Sequence, residues 1–157
     1  MKRFLVLGLI IVFSGLFQAC GTPQVLMGVK STDRINPDDN GEALPVVVRV
    51  YQLRETGPFS RADFDTLWSD SERALGESLV GSQEFVVDPE TDERIAIRRL
   101  KGADYLAVVA VFRDWHDTEW RSIEPLPTGL FSGFMSVTIY VDIDEGMVKA
   151  TREASVL

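Results

Sequence analysis

Residues 35–54 read INPDDNGEALPVVVRVYQLR, and this stretch decides the fold. Its first half, residues 35–44, is acidic and rich in turn formers. Asn36-Pro37 and Asn40-Gly41 cannot propagate a helix or the interior of a sheet. Its second half, residues 45–54, is β-branched and apolar, the composition of a strand. Pro45 stands at the strand's first residue, where a missing N–H is tolerated. Val46, Val48 and Val50 share one face. Val47, Tyr51 and Leu53 share the other with Arg49. Apolar groups on both faces predict a strand covered on both sides. The stretch therefore reads as a protruding loop that feeds into a core strand.

Outward from there, short strands recur. Residues 25–32 form a first strand, weakened at Gly28. Residues 83–87 and 94–100 form two more around an Asp88-Pro89 turn. Residues 105–112, YLAVVAVF, form a nearly continuous apolar run that suits a central strand. Residues 120–123 are a weaker strand. From residue 134 to 144, Met135, Val137, Ile139, Val141 and Ile143 alternate with Ser136, Thr138, Tyr140 and Asp142. The turn at Asp144-Glu145-Gly146 then returns residues 147–154 as a last strand. Between the second and third strands lies a helical insertion over about residues 60–76. Ser60 is the expected cap, with Asp63 completing a capping box and Phe59 as staple. Ser69 and Glu72 repeat the pattern for a second short helix that ends near Leu75-Gly76. Phe64, Leu67 and Trp68 make one stripe, with Trp68 expected to pack the insertion onto the strands. The fold class is all-β: an antiparallel sandwich of about 7–8 strands with a short helical insertion.

The N-terminus carries an address. Lys2 and Arg3 precede an apolar run over residues 4–17, shorter than the roughly 20 residues that span a bilayer. This is the pattern of a secretory signal. The run ends at Phe17-Gln18-Ala19-Cys20-Gly21, which resembles a bacterial lipobox, although Phe17 stands where Leu is usual. The other reading is an ordinary signal cut near Ala19, which leaves a free thiol. Cys20 is the only cysteine in the chain, so it has no disulfide partner, and lipidation is the favoured use. Residues 1–19 are then a lipoprotein signal peptide, residues 20–24 a tether, and residues 25–157 the sandwich domain. Gly21 is not the Asp that resembles an inner-membrane retention signal. The expected place is the periplasmic face of the outer membrane. The domain must stand without disulfides in an oxidising compartment.

Formal net charge is -8. Such a chain repels phosphate backbones, which argues against nucleic-acid partners. The one histidine, His116, lies in Asp114-Trp115-His116-Asp117. Without cysteines or further histidines it makes a poor transition-metal site. No nucleophile elbow, zinc motif or phosphate loop is present. Asp38, Asp39, Asn40 and Glu42 miss the spacing of a calcium loop, so a solvated acidic loop is the plainer reading. No catalytic residue, metal or cofactor is expected, and the chain reads as a non-enzyme.

The combination of a lipobox at Cys20, N-P-D-x-x-G at residues 36–41 and L-P-V-V-V-R-V-Y-Q-L at residues 44–53 resembles the outer-membrane lipoproteins of type VI secretion systems, the TssJ or VasD family. Leu67-Trp68, Glu84-Phe85-Val86-Val87 and residues 105–113 continue the likeness. The resemblance implies a transthyretin-like sandwich that anchors the secretion membrane complex by binding the periplasmic C-terminal domain of the TssM/IcmF-like inner-membrane protein. It implies a partner-binding loop between the first two strands, here Ile35, Asn36, Pro37, Asp38, Asp39, Asn40, Gly41, Glu42 and Leu44. Ile35 and Leu44 either offer apolar contact to the partner or pin the loop to the sandwich. A different class of reading is a periplasmic lipid- or glycan-binding carrier, with Trp115, Trp120, Phe131 and Phe134 around a pocket.

Overall fold

A computed structural model describes residues 22–129 and 135–153. The expected signal peptide, Cys20, Phe131 and Phe134 lie outside the described residues. Eight strands build two sheets: β1 (Gln24–Ser31), β2 (Val46–Leu53), β3 (Leu79–Val87), β4 (Asp92–Arg98), β5 (Tyr105–Val111), β6 (Arg121–Pro125), β7 (Val137–Asp144) and β8 (Met147–Arg152). One sheet has the order β4-β1-β7-β8, the other β3-β2-β5-β6. Every pair is antiparallel except β1 with β7, which run parallel with Val25 opposite Val137. That long-range pairing leaves no local mark in the sequence.

The two faces of β2 meet two different cores. Val46, Val48 and Val50 point between the sheets, where they join Val25, Met27 and Val29 of β1 and Ile139, Val141 and Ile143 of β7. Tyr51 and Leu53 point outward and are buried beneath the helical insertion, with Ala107 and Val109 of β5. Burial of each such side chain contributes about 1.5–3 kcal/mol, and β2 shares both cores with β5, whose Leu106, Val108 and Ala110 lie between the sheets. Gln52 is the buried polar group of this strand. Its Nε2 donates to the carbonyl of Arg98 at 2.8 Å and its Oε1 accepts from the N–H of Leu100 at 2.8 Å. One amide thereby ties the second sheet to the chain leaving the first.

Strand β3 begins four residues before the expected position 83. The register slips between Gln52 and Leu53, so the strand continues through an irregularity rather than ending there. Gly81 belongs to it, paired with Gln52, and a Cβ there would sit 2.5 Å from Leu100 Cδ1, a close approach of the kind that glycine in a strand allows.

The insertion is three short helices, α1 (Gly57–Arg61), α2 (Phe64–Ser69) and α3 (Ser71–Leu75). The expected caps are displaced. Pro58 opens α1 early, so Ser60 lies inside it and not at its cap. Asp63 caps α2 by accepting from the N–H of Thr66 at 2.8 Å, and that N–H holds its carboxyl below the ordinary range. Asp70, not Ser69, caps α3 through the N–H of Arg73 at 3.1 Å. The packing residue also differs. Phe59, Phe64, Leu67 and Leu75 are buried, whereas Trp68 is 38% exposed. Arg49 of β2 lies over the Trp68 ring at 4.1 Å and donates to its carbonyl at 3.0 Å. Leu67 takes the inward position, and Trp68 forms a lid on the Arg49 guanidinium.

Arg121 at the start of β6 closes the insertion. Its guanidinium donates to the carbonyls of Phe59 (3.0 Å), Ala62 (2.8 Å) and Ser60 (3.2 Å), and it stacks on Trp120 at 4.6 Å. These carbonyls include the end of α1, which has no further turn to satisfy them. Arg121→Ala is expected to cost about 2–3 kcal/mol by urea unfolding, since it strands acceptors of charged hydrogen bonds. Lys at this position does not restore it, because an ammonium lacks the planar fork. A loss under about 0.5 kcal/mol would show that water replaces the fork.

Among the described residues, nothing covers the outer face of the first sheet, where Leu26 and Tyr140 are exposed. Asp92, Lys30, Asp142 and Lys149 stand opposite one another across its four strands with alternating sign. Lys30 and Asp92 approach to 3.2 Å. The Tyr140 ring lies over Gly28, where a Cβ would come within 2.9 Å of it. Cross-strand pairs of this kind suit a solvated face.

Candidate functional site

The loop between β1 and β2 is a built structure. Asp38 is its hub. One carboxylate oxygen accepts from the N–H groups of Asn40 (2.8 Å) and Glu42 (2.9 Å), and the other accepts from Asn40 Nδ2 at 3.2 Å. The Glu42 N–H is the main reason this carboxyl lies below the ordinary range. The backbone closes the same turn, with the Asp38 N–H donating to the Glu42 carbonyl at 2.9 Å and the Gly41 N–H to the Asp38 carbonyl at 3.0 Å. Gly41 has φ +82, which suits a residue without a Cβ.

The neck of the loop is held from below. Ile35 is fully buried in the core between the sheets. Its carbonyl accepts from the Leu44 N–H at 3.2 Å. Asn36 is 8% exposed and has φ 47. Its Nδ2 donates to the Pro45 carbonyl at 2.9 Å, and its Oδ1 accepts from the Arg113 N–H at 2.7 Å. Upstream, Thr32 Oγ1 donates to Asp144 at 2.7 Å, and this bond is the main reason the Asp144 carboxyl is held low.

The nine sequence-predicted loop residues thus divide by orientation. Ile35 and Asn36 face the protein, and Asp38 spends its carboxylate inside the turn. Pro37 is half-buried. Asp39, Asn40, Gly41, Glu42 and Leu44 face solvent. Of the two readings for Ile35 and Leu44, the pin applies to Ile35, while Leu44 is 36% exposed and free to meet a surface.

The loop does not stand alone. Arg113, just after β5, reaches Asp39 at 3.0 Å, an ion pair that raises the arginine's affinity for its proton. The segment beyond it carries His116, which is exposed, stacked on Trp115 at 4.2 Å and 3.7 Å from Asp114. This neighbouring segment escaped the sequence reading as part of the loop's surroundings. The available signal was Asn36 itself, an amide side chain at the neck of a loop.

Trp115 stacks on Phe64 at 4.8 Å, and Trp120 meets the same ring edge-on at 5.2 Å. Both belong to the packing beneath the helical insertion. A depression of about 440 Å³ lies beside the loop's base, but Lys30, Thr32, Asp33, Glu90 and Asp92 among its lining residues make it polar. Among the described residues, no His, Cys, Asp and Glu are grouped to hold a metal ion.

The candidate site is therefore a hydrogen-bonded loop displayed at one end of a sandwich. The family model of the type VI secretion lipoproteins (VasD, EvfM, TssJ) matches residues 23–145, and the chain belongs to that family. The family is a structural component of the secretion system and not a known enzyme family. Among curated protein sequences, none matches this chain. Solved structures share the fold at low identity. The type VI lipoprotein TssJ1 from Pseudomonas aeruginosa is 23% identical, with 86% of this chain and 99% of that one covered at a TM-score of 0.76. The membrane-bound type VI component Lip from Serratia marcescens is 21% identical, with 86% and 100% covered at 0.75. A chain in a structure described as the TssM C-terminal domain (869–1107) from EAEC is 18% identical, with 83% and 98% covered at 0.65.

Proposed function

We propose that this chain is an outer-membrane lipoprotein of a type VI secretion system, anchored through acylated Cys20, whose residues 37–44 bind the periplasmic C-terminal domain of the TssM/IcmF-like inner-membrane protein. The observation that carries the proposal is the placement of the loop relative to the tether. The chain enters the fold at Pro23, whose carbonyl accepts from the Arg99 N–H at 3.0 Å. Strand β1 then runs the length of the sandwich, about 26 Å for its span, and delivers the loop at the opposite end. An anchor at residue 20 holds one end at the membrane and offers the other to the periplasm. Residues 1–19 serve as the signal peptide, and Gly21 is compatible with outer-membrane sorting.

The partner has separate support. The 98% of the EAEC chain covered here corresponds to 83% of a 157-residue protein. A similar chain also occurs in a structure described as a type VI membrane complex, at 19% identity and a TM-score of 0.67. The exposed acids Asp39 and Glu42 suit a basic patch on the partner and act chiefly on association rate.

The test measures binding of the full-length chain, solubilised in mild detergent, to the TssM periplasmic domain. Replacing residues 38–42 by a short Gly-Ser turn is expected to weaken binding at least about tenfold, the loss of about 1.4 kcal/mol. Unchanged affinity would remove the loop from the interface.

A further inference from the structure

Building on the proposed partner binding, we propose that Asn36 is the positioning residue of the recognition loop. With the backbone of Arg113 it makes residues 37–44 and the segment after β5 one preformed surface. Asn36 lies in the quoted N-P-D motif, yet at 8% exposure it has little surface to offer a partner. Its side chain does something else. Nδ2 spans the neck of the loop to the Pro45 carbonyl at 2.9 Å, and Oδ1 reaches across to the Arg113 N–H at 2.7 Å. The amide orientation is fixed by its partners, since a carbonyl only accepts and an N–H only donates.

The backbone agrees with this role. Asn36 sits at φ 47, in the left-handed region. Asn tolerates that region better than other residues with a Cβ. Pro37 follows and disfavours compact conformations of the residue before it. A conformation disfavoured locally persists when the surroundings over-determine it. Here the surroundings are the two side-chain bonds, the buried Ile35 beside it, and the Leu44 N–H on the Ile35 carbonyl.

The second link runs from Arg113 to the tip. Its guanidinium meets Asp39 at 3.0 Å, but Asp39 is largely exposed, and exposed pairs contribute little. The backbone N–H of Arg113 is the stronger tie, because its 2.7 Å bond to Asn36 is part-buried and joins the buried amide. A loop held this way gives up little freedom on binding, so its order supports affinity without adding a contact.

The experiment compares the full-length chain in mild detergent with its Asn36→Gly and Arg113→Ala variants. Glycine accepts φ 47 freely, so Asn36→Gly removes the side-chain bridge without forcing the backbone. Hydrogen exchange at the Leu44 and Arg113 amides reads loop order without any partner. Titration with the TssM periplasmic domain reads affinity. Asn36→Gly is expected to speed exchange at both amides and to weaken binding about tenfold, the effect of about one lost hydrogen bond. Exchange in β5 and β7 should stay as in the parent chain, which separates this loss from global unfolding. Arg113→Ala keeps the N–H and is expected to change binding less than about threefold. Parent-like exchange and affinity for Asn36→Gly would overturn the proposal. So would a loss of affinity with parent-like exchange, which would make Asn36 a contact. Failure of the parent chain to bind at all would overturn the partner reading, while the exchange rates would still decide whether Asn36 orders the loop.

Discussion

Cys20→Ser is expected to move the protein from the membrane fraction to the soluble periplasmic fraction and to leave its domain folded. Each buried methylene of an acyl chain contributes about 0.8 kcal/mol to membrane binding, and one chain alone holds only marginally. A lipoprotein cysteine gathers its chains on one residue, so its loss removes the whole attachment at once. Among the described residues, no helix is long and apolar enough to cross a membrane. An acidic chain also gains nothing from anionic headgroups. Among the described residues, the chain is tied in downstream of Cys20 by the Arg99 N–H on the Pro23 carbonyl and the Gln24 N–H on Ser136 Oγ at 3.3 Å. Fractionation after a high-salt wash measures the first effect and thermal unfolding the second. Retention in washed membranes of the serine variant with its signal peptide cut off would refute the lipid anchor. Release with an unchanged melting temperature would place the anchor wholly outside the fold. Secretion should fail in the released variant, because its loop would no longer be held at a fixed distance from the membrane.

What the sequence disclosed depended on how local each signal was. The two faces of β2 were legible because period 2 alone assigns Val46, Val48 and Val50 to one core and Tyr51 and Leu53 to another. The alternation through β7 was legible for the same reason. The helical insertion was legible as an insertion, but its caps were not. Pro58 advanced the first helix by several residues, and Asp63 and Asp70 supplied caps where Ser60 and Ser69 were expected. Aspartate and serine are equivalent in that role, so only geometry chooses between them. Trp68 was misplaced because Leu67 and Trp68 are adjacent, and a short helix can turn just one of them inward. The parallel pairing of β1 with β7 joins residues more than a hundred apart, which no local pattern records. The loop was legible as a loop. Its division into pinned and presented residues was not, because Asn36 and Asp38 hydrogen-bond to backbone groups, one of which belongs to Arg113.

Ile35→Ala tests that division at its deepest point. Ile35 is a loop residue by sequence and a core residue by position, fully buried in the cluster that includes Val46 and Phe112. Truncating an isoleucine in such a place removes transfer free energy and leaves a cavity, at a cost of about 2–5 kcal/mol. The upper part of that range is expected here, since β-sheets on both sides limit collapse around the gap. Each 1.4 kcal/mol is a factor of ten, so the folding equilibrium should shift by more than about a hundredfold. Leu44→Ala is the matched control at the other end of the neck. Its side chain is 36% exposed, and its truncation should change stability by no more than about 0.5 kcal/mol. Urea unfolding of the two variants gives the comparison directly. A cost below about 1 kcal/mol for Ile35→Ala would mean that the loop is not rooted in the core. Its conformation would then have to come from the Asp38 turn and the Asn36 bridge alone. The expected asymmetry instead assigns each end its own work. Ile35 gives the loop a fixed base at the expense of any contact with a partner, and Leu44 remains available for one because the core does not require it.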